Sequence, residues 1–251
     1  MRADKFFAEK FGSRTKSAEA IEKGLVLVNG KTIKPKIEIK ETDVITFVEA
    51  QELFVSNGGY KLDRAIKTFD FSPKGLTFAD IGASTGGFTD CLLQNGAKKV
   101  YAIDVGESLL HEKIANDARI VTMDNTNARY LTKADFPEEI QGVVTDVSFI
   151  SLRLIFPVIQ EILMKNGSAF VLIKPQFECG KEYLGNSGIV KSKQARITAC
   201  LDIYNFSLNL GLVPINITNA PIKEKKNIEY VIMLKKGKIE PFSQNKIYDL
   251  V

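Results

Sequence analysis

The chain has 251 residues, 45% of them hydrophobic, which is enough for one domain of about 200 residues and a smaller one. Its net charge is only +4, its three cysteines are dispersed and it has one histidine, so a disulfide framework, a structural metal site and a Ser-His triad are disfavoured. The purest apolar run, residues 169–173, is too short to cross a bilayer, and no apolar leader precedes it. We therefore expect a soluble cytoplasmic protein with no membrane partner.

Residues 1–48 are predicted to form a small α+β unit. Asn29-Gly30 between two β-forming runs is typical of a tight hairpin, and Ser17 is a candidate N-cap for a helix that ends near Gly24. Residues 1–40 hold ten Lys/Arg and five Asp/Glu. This excess favours a polyanion such as RNA, although a solvated lysine-rich face would give the same pattern. The candidate RNA-binding residues are Arg2, Lys5, Arg14, Lys16 and Lys23.

A polar linker, 49–56, is expected to join this unit to a second domain, 57–236, which is followed by a tail, 237–251. Strands and helices alternate in the second domain, which predicts an α/β, Rossmann-like, mostly parallel sheet with an antiparallel last strand. The predicted strands are 77–81, 100–104, 120–123, 143–146, 169–173, 213–218 and 229–234, and the predicted helices include 88–95, 109–116, 152–164 and 194–210. The last two strands should form a hairpin through 223–226.

The segment from Asp80 to Asp90, Asp-Ile-Gly-Ala-Ser-Thr-Gly-Gly-Phe-Thr-Asp, joins an apolar strand to a helix through a glycine-rich turn. The next strand ends in Asp104, 24 residues after Asp80, where a carboxylate can bind ribose hydroxyls. The spacing G-x-x-x-G-G differs from the NAD fingerprint, and no Walker lysine follows to hold phosphates. A ribose site without phosphate machinery fits S-adenosylmethionine. The alternative is an ordinary tight turn between strand and helix.

Two further strands are predicted to end in Asp146 and Lys174, and open α/β sheets bind ligands beyond the carboxyl ends of their strands. A lysine there is costly to bury without a carboxylate nearby, so Lys174 is either a catalytic residue or part of a structural ion pair. The cofactor pocket is expected to comprise Asp80, Gly82, Ser84, Gly86, Gly87, Phe88, Asp104, Asp124, Asn127 and Asp146. Asp124 or Asn127 would approach the adenine, unless this polar cluster only forms Asx turns.

Several motifs, in the same order along the chain, resemble a known family. Arg2-Ala-Asp-Lys5, Lys23-Gly-Leu-Val-Leu-Val-Asn-Gly30 and Lys34-Pro35 are similar to the alpha-L RNA-binding module, the S-four type of ribosomal protein. Segments 55–62, 80–90, 145–151, 173–178 and 188–191 resemble the TlyA family, often called hemolysin A. The second domain of that family is an FtsJ-like methyltransferase.

The resemblance implies methylation, by S-adenosylmethionine, of a ribose 2′-hydroxyl on cytidine in ribosomal RNA. The family's Lys-Asp-Lys-Glu tetrad falls on Lys61, Asp146, Lys174 and Glu229. Lys174 would contact the hydroxyl either as a base or as an orienting group. Short members of the family tend to act on the large-subunit RNA alone, so the resemblance, with the short termini of this chain, favours the large ribosomal subunit as partner. Two other classes stay open: a membrane-active, pore-forming hemolysin, for which the short basic N-terminal helix is the one candidate segment, and a non-catalytic RNA-binding factor of the ribosome.

Overall fold

The computed structural model describes residues 1–48, 53–185, 187–221 and 226–251, and the chain forms two units, Met1–Leu53 and Phe54–Val251. The first unit contains helices α1 (Ala3–Phe6) and α2 (Arg14–Glu22) and strands β1 (Val26–Val28), β2 (Lys31–Thr32) and β3 (Ile45–Phe47). The strands are antiparallel in the order β2-β1-β3. Its apolar core comprises Ala3, Phe7, Ile21, Val26, Val28 and Ile39.

The hairpin predicted at Asn29-Gly30 is present. Both residues have left-handed backbone angles, with φ of 51° and 74°, as a two-residue turn of this type requires. The predicted helix cap was wrong, because Ser13 and not Ser17 precedes α2. The Ser13 hydroxyl accepts a hydrogen bond from the Lys16 N–H at 3.2 Å, whereas Ser17 is buried within the helix.

The second unit is an α/β fold with a seven-stranded sheet. Its helices are α3 (Asn57–Thr68), α4 (Gly87–Gln94), α5 (Glu112–Ala115), α6 (Phe156–Ile162), α7 (Pro175–Glu178), α8 (Lys193–Asn209) and α9 (Asn245–Leu250). Its strands are β4 (Thr77–Ile81), β5 (Lys99–Ile103), β6 (Ile120–Met123), β7 (Ile140–Thr145), β8 (Leu163–Ile173), β9 (Leu212–Asn219) and β10 (Tyr230–Lys236). Buried apolar clusters lie on both faces of the sheet, so the strands are apolar without alternation.

The strand order is β6-β5-β4-β7-β8-β10-β9. The first five strands in this order are parallel to one another. β10 is antiparallel to both β8 and β9. This confirms the predicted mostly parallel Rossmann-like sheet with an antiparallel final strand. The turn expected at 223–226 lies, apart from Lys226, outside the described residues. Because the chain runs from β4 outwards to β6 and then returns to β7, the strand ends around β4 border a ligand-binding crevice.

Two predicted helices differ from the structure. The helix expected at 109–116 is reduced to α5, because the chain has a left-handed residue at Ser108 (φ 53°) and His111 is an extended N-cap. The helix expected at 152–164 is divided into a 3₁₀ turn, Leu152–Leu154, and α6, and Leu163 already pairs with Ile140 of β7. Within the ranges described here, no helix is both long and apolar enough to cross a membrane.

Candidate active site

The glycine-rich turn after β4 borders the crevice at the sheet's carboxyl edge. Gly82 has φ +80°, and a Cβ atom there would come within 3.0 Å of Cγ1 of Val147. Ser84, in the same turn, also has a left-handed φ of 48°. The turn therefore follows a path that needs glycine at Gly82 both for its backbone angle and for its closeness to the segment after β7.

Gly86 and Gly87 serve helix packing instead of lining the cavity. A Cβ atom on Gly87 would lie 2.1 Å from the hydroxyl of Ser56 and 2.9 Å from the backbone nitrogen of Gly59. One on Gly86 would lie 2.4 Å from Cδ1 of Ile114. The absence of side chains at these positions lets α4 approach the backbone of α3 and leaves room for the Ile114 side chain of α5. Neither glycine is among the residues that line the two cavities of the crevice, and the cofactor contact expected of this pair stays a prediction.

Asp80 at the end of β4 is an isolated, deeply buried carboxyl group, only 1% exposed. Its Oδ2 accepts a 2.7 Å hydrogen bond from the Thr89 hydroxyl. Among the described residues, Oδ1 has no hydrogen-bond partner. Burial, with the negative charge of Asp146, raises the pKa of Asp80 to about 7. A buried acceptor at a cavity wall is a site for a cationic or hydrogen-bond-donating ligand group.

Asp104 lies directly after β5 and orders two neighbouring turns. Its Oδ2 accepts from the Ser84 N–H at 2.8 Å, and its Oδ1 accepts from the Gly106 N–H at 2.9 Å. The carboxylate thus joins the glycine turn to the segment after β5. Because each oxygen has a second lone pair, Asp104 retains acceptor capacity for ribose hydroxyls.

Two adjoining cavities occupy the crevice. The smaller, about 200 Å³, is lined by Ser56, Asp80, Gly82, Ala83, Ser84, Thr85, Phe88, Asp146, Ser148 and Lys174. The larger, about 590 Å³, shares Gly82, Ser84, Asp146 and Ser148 with it and extends past Asp104 to Asn127 between apolar side chains that include Ile103 and Val147. The first cavity is therefore mainly polar. The second has mostly apolar walls, with the Asp104 carboxylate beside them.

The two residues expected near adenine behave differently. Asn127 lines the larger cavity. Its Oδ1 accepts from the Arg129 N–H at 3.2 Å, as an Asx-type cap of a short 3₁₀ turn. Asp124 instead accepts a hydrogen bond from the Ser108 N–H at 2.9 Å, and the cavity wall beside it is made by residues 126–129. Its predicted role toward adenine therefore has less support than that of Asn127.

Four charged side chains from four different elements meet beside the smaller cavity. Lys61 of α3 places Nζ 3.1 Å from Oδ2 of Asp146 and 2.8 Å from Oε2 of Glu229. Lys174 places its own Nζ 2.6 Å from Oδ1 of Asp146. Asp146 thus bridges the two lysines. The arrangement alternates positive and negative groups, so each charge has an opposite neighbour.

The two lysines differ in their surroundings. Lys174 is 8% exposed, and its Nζ donates a 2.7 Å hydrogen bond to the Ser148 hydroxyl. Burial alone would lower the pKa of Lys61, but the carboxylates of Asp146 and Glu229 more than offset it and raise the pKa of Lys61 above its ordinary value. Lys61 is therefore a fixed cation that neutralises both carboxylates, while Lys174 lies at the cavity wall.

The sequence reasoning missed two residues of this site, Ser148 and Phe149. Ser148 lies two positions after Asp146 and binds Lys174. Phe149 has a left-handed φ of 62° and is 91% exposed, with its ring 5.1 Å from that of Phe177. Such strain at an exposed aromatic residue is typical of functional sites. The only signal available in the sequence was the polar residue following a strand-end acid.

The basic residues predicted in the first unit lie on and beside its helices. Arg2 and Arg14 both donate to Asp4, from Arg2 Nη2 at 2.9 Å and from Arg14 Nε at 3.0 Å. Burial alone would raise the pKa of Asp4, but these hydrogen bonds hold it below its usual value. Lys5, Lys16 and Lys23 are exposed to solvent. Two guanidinium groups are thus fixed side by side on this unit.

The comparisons with known proteins agree with both units. Residues 54–236 match the model of the FtsJ-like methyltransferases, and residues 1–45 match that of the S4 domain. The chain belongs to the FtsJ-like methyltransferase family. It is moreover a TlyA-type member, because it matches proteins of that name over nearly its whole length.

Three curated relatives illustrate this. The "16S/23S rRNA (cytidine-2'-O)-methyltransferase TlyA" of Mycobacterium tuberculosis is 34% identical over 95% of this chain and 90% of its own. The "23S rRNA (cytidine-2'-O)-methyltransferase TlyA" of Campylobacter jejuni is 32% identical over 92% and 97%. The "Hemolysin A" of Brachyspira hyodysenteriae is 42% identical over 87% and 92%. TlyA and hemolysin are thus names within one group of relatives.

Solved structures support the fold. A protein of Streptococcus thermophilus that carries a hemolysin name superposes with a TM-score of 0.78 at 35% identity, covering 100% of this chain and 94% of that one. A Burkholderia thailandensis N1-methyltransferase, solved with S-adenosylhomocysteine, has a TM-score of 0.53 at 12% identity over 72% and 79%. The latter shares only the fold. The second unit is therefore a methyltransferase-type sheet.

The cavities suit the cofactor that this FtsJ-like fold implies. The unpartnered Oδ1 of Asp80 offers an acceptor in the smaller cavity, where an α-ammonium group could bind. Asp104 offers acceptors for ribose hydroxyls, and the apolar slot ending at Asn127 can hold a flat base. The donor and acceptor set thus fits S-adenosylmethionine.

Proposed function

We propose that this FtsJ-like protein transfers a methyl group from S-adenosylmethionine to the 2′-hydroxyl of a cytidine in ribosomal RNA, in the large subunit. The observation that carries the proposal is the buried Lys174 ammonium, 2.6 Å from Asp146, at the wall of a cavity formed by the glycine turn and Asp80. The names of the relatives from M. tuberculosis and C. jejuni support the cytidine substrate, and 23S rRNA is common to both.

The chain's own residues have two tasks in this reaction, to align the acceptor oxygen and to handle its proton. The cofactor, when bound, supplies a methyl group already activated by a sulfonium. Among the described residues, Lys174 donates one hydrogen bond, to the Ser148 hydroxyl, and forms an ion pair with Asp146, so at least one of its three N–H donors is left for the ribose oxygen. Lys174 therefore orients the hydroxyl, and the neighbouring Asp146 carboxylate provides a place for the proton as the bond forms.

Lys61 and Glu229 act on the ribose oxygen indirectly, through Asp146. Lys61 binds both Asp146 and Glu229 and so fixes the side of the carboxylate that faces away from Lys174. Gln176, in the turn after Lys174, places Nε2 3.5 Å from Oε1 of Glu229. These contacts hold the acceptor side of the cavity in one arrangement, which is how a positioned site accelerates a transfer that needs little covalent help.

RNA binding is assigned to two surfaces. On the first unit, Arg2 and Arg14 provide paired guanidinium groups suited to phosphate, with Lys5, Lys16 and Lys23 around them. At the rim of the methyltransferase cavity, the exposed ring of Phe149 offers a face on which a base taken out of its stack can lie. The first surface gives affinity and the second helps to present one nucleotide.

A direct assay tests the proposal. Large and small ribosomal subunits that lack the modification would be incubated with purified protein and tritiated S-adenosylmethionine, and the RNA digested and analysed by mass spectrometry. We expect label as 2′-O-methylcytidine in 23S rRNA. Label on a base, or no transfer to either subunit with cofactor bound, would contradict the assignment.

A further inference from the structure

The Asp146 and Lys174 side chains lie on two separate loop segments that follow neighbouring parallel strands. Residues 146–152 follow β7, and residues 174–178, which include α7, follow β8. The sheet fixes where each segment starts, but it does not fix the path that each then takes. Asp146 and Lys174 directly follow these paired strands, so the sheet holds their backbone close together. The position of Ser148, to which Lys174 donates, depends on what joins the two segments beyond the strand ends.

Glu178, the last residue of α7, makes the far end of that connection. Its Oε2 accepts a 2.7 Å hydrogen bond from the Ser151 hydroxyl, and its Oε1 accepts a 2.8 Å hydrogen bond from the Leu152 N–H. Leu152 begins the 3₁₀ turn after this loop, so its N–H has no partner within that turn. Glu178 is half-buried, and this burial raises its pKa although both donors oppose the shift.

Contacts nearer the cavity complete a row between the same two segments. Lys174 donates to the Ser148 hydroxyl, and the ring of Phe177 lies 5.1 Å from that of Phe149. Phe149 holds a left-handed backbone angle that a phenylalanine adopts only when its surroundings impose it. Removal of the Glu178 contacts would free residues 146–152 at the end opposite to β7, and the strained conformation would relax.

We propose that Glu178 is a positioning residue of the methyl-transfer reaction, which clasps residues 146–152 against residues 174–178 and so sets the position of Ser148 against Lys174 and the orientation of the Lys174 ammonium. The inference rests on the proposed function for its catalytic consequence. The clasp depends on hydrogen bonds and on the length of the Glu178 side chain, not on its charge. Glu178 does not touch the reacting atoms.

Two conservative substitutions separate reach from charge. Glu178→Gln keeps the length, since its amide oxygen can accept from Leu152 and its amide nitrogen can donate to Ser151, but it removes the charge. Glu178→Asp keeps the charge but shortens the side chain by one methylene, so that it cannot span to both partners. A hydrogen-bonded clasp therefore predicts a functional Gln variant and an impaired Asp variant. A role that depends on charge predicts the reverse order.

The experiment measures kcat and KM for methyl transfer to ribosomal subunits, with Glu182→Ala, an exposed glutamate on the following turn, as matched control. We expect Glu178→Ala and Glu178→Asp to lower kcat about 10- to 100-fold, because small misplacements of reacting groups have effects of that size, with KM for the subunit little changed. Glu178→Gln and Glu182→Ala should stay near the wild type. A slow Gln variant, or an Asp variant as fast as wild type, would overturn the proposal.

Hydrogen exchange at the Leu152 amide gives a readout that does not need activity. Its exchange should be faster in Glu178→Asp than in wild type and unchanged in Glu178→Gln, and equal rates in all three would overturn the clasp. If the wild-type protein itself transfers no methyl group, the proposed function fails and the exchange measurement alone decides the clasp. The Asp variant also answers the case in which Glu178→Ala does not fold.

Discussion

Lys61 and Asp146 lie 85 positions apart in the sequence, yet Nζ of the first is 3.1 Å from Oδ2 of the second. This contact joins α3 to the end of β7, and Glu229 and Lys174 continue it on either side. Asp146 is therefore the shared carboxylate of two lysines. One of them is a fixed counter-ion and the other lines the cavity, so their replacement should have different effects.

Replacement of Lys174 by alanine should abolish methyl transfer and spare cofactor binding. The expected loss in kcat is about 10²- to 10⁴-fold, the usual contribution of a group that handles a proton or orients the acceptor. Lys165→Ala, at the exposed opposite end of the same strand β8, is the matched control and should keep full activity. Calorimetry would verify cofactor affinity in both variants. An active Lys174→Ala protein would remove this residue from the reaction.

Glu229→Gln should lower the pKa of Lys61, because one of the two carboxylates that offset its burial becomes neutral. Heteronuclear NMR of the lysine side chain across alkaline pH would measure this, with Glu182→Gln as a control on an exposed residue. An unshifted pKa of Lys61 in this variant would refute the coupling.

The raised pKa of Lys61 also means that its ion pairs with Asp146 and Glu229 stabilise the fold below pH 10.5. This stabilisation is lost as the pH rises through the pKa of Lys61 in the folded protein.

Cofactor affinity should depend on the ionisation of Asp80. Its pKa of about 7 means that the group is mostly neutral at pH 5.5, whereas an α-ammonium ligand favours the charged form. We expect S-adenosylhomocysteine to bind about tenfold more tightly at pH 7 than at pH 5.5, since the ionised fraction rises by that order. In Asp80→Asn the affinity should be weaker and nearly independent of pH. Calorimetry at both pH values gives the comparison.

The raised pKa of Asp80 also predicts a pH dependence of stability. Its direction is opposite to that caused by an aspartate whose pKa is lowered by folding. The ordinary pKa of an aspartate is 3.8, so between about pH 4 and 7 the folded protein binds the proton that the unfolded chain has released. The free energy of unfolding should therefore decrease as pH rises through this window. Asp80→Asn should flatten that part of the curve in chemical denaturation. A slope equal to wild type would show that other groups cause it.

Arg14→Ala should weaken RNA binding without sequence preference and reduce the salt dependence of the affinity by about one charge. The same variant removes one of the two arginines that Asp4 aligns. Arg14→Lys keeps the charge but loses the planar fork, so it should retain the salt slope and bind more weakly. Affinity for a ribosomal RNA fragment measured across salt concentrations tests both. An unaltered slope in Arg14→Ala would exclude a phosphate contact.

Gly87→Ala should destabilise the second unit by about 1–3 kcal/mol, because the new methyl group would overlap the Ser56 hydroxyl and the Gly59 backbone. Gly58→Ala is the matched control. Its Cβ would meet its nearest neighbour, Cδ1 of Phe88, at 3.4 Å, and alanine favours helix. Thermal denaturation of both variants measures the difference. Equal stability of the two would show that α3 and α4 can move apart without cost.

The sequence was sufficient for the sheet, because its strands are locally apolar, and the same pattern placed Asp146 and Lys174 at strand ends. Lys61 and Glu229 came from the resemblance to the FtsJ-like family, and the catalytic roles of all four residues stay predictions. The sequence was insufficient where conformation depends on distant partners. Lys174 and Glu178 contact Ser148 and Ser151 of the segment 146–152, from 26 and 27 positions away in the sequence. The conformation of Ser148 and Phe149 therefore cannot be predicted from their neighbours in the sequence. Gly86 and Gly87 could not be distinguished from Gly82, which lines both cavities, because close helix packing and close ligand approach require the same residue.

The backbone-distance contact of α3 with α4 at Ser56, Gly59 and Gly87 has a mechanical consequence. Between the glycine turn and the helix that carries Lys61 lie the Gly59 backbone and the short Ser56 hydroxyl, so little in this contact can deform. Under the proposed function, a displacement of the turn beside the methyl donor would reach Lys61 and, through Asp146, the acceptor side of the cavity. Rigid contact would thus keep donor and acceptor aligned before either of them binds.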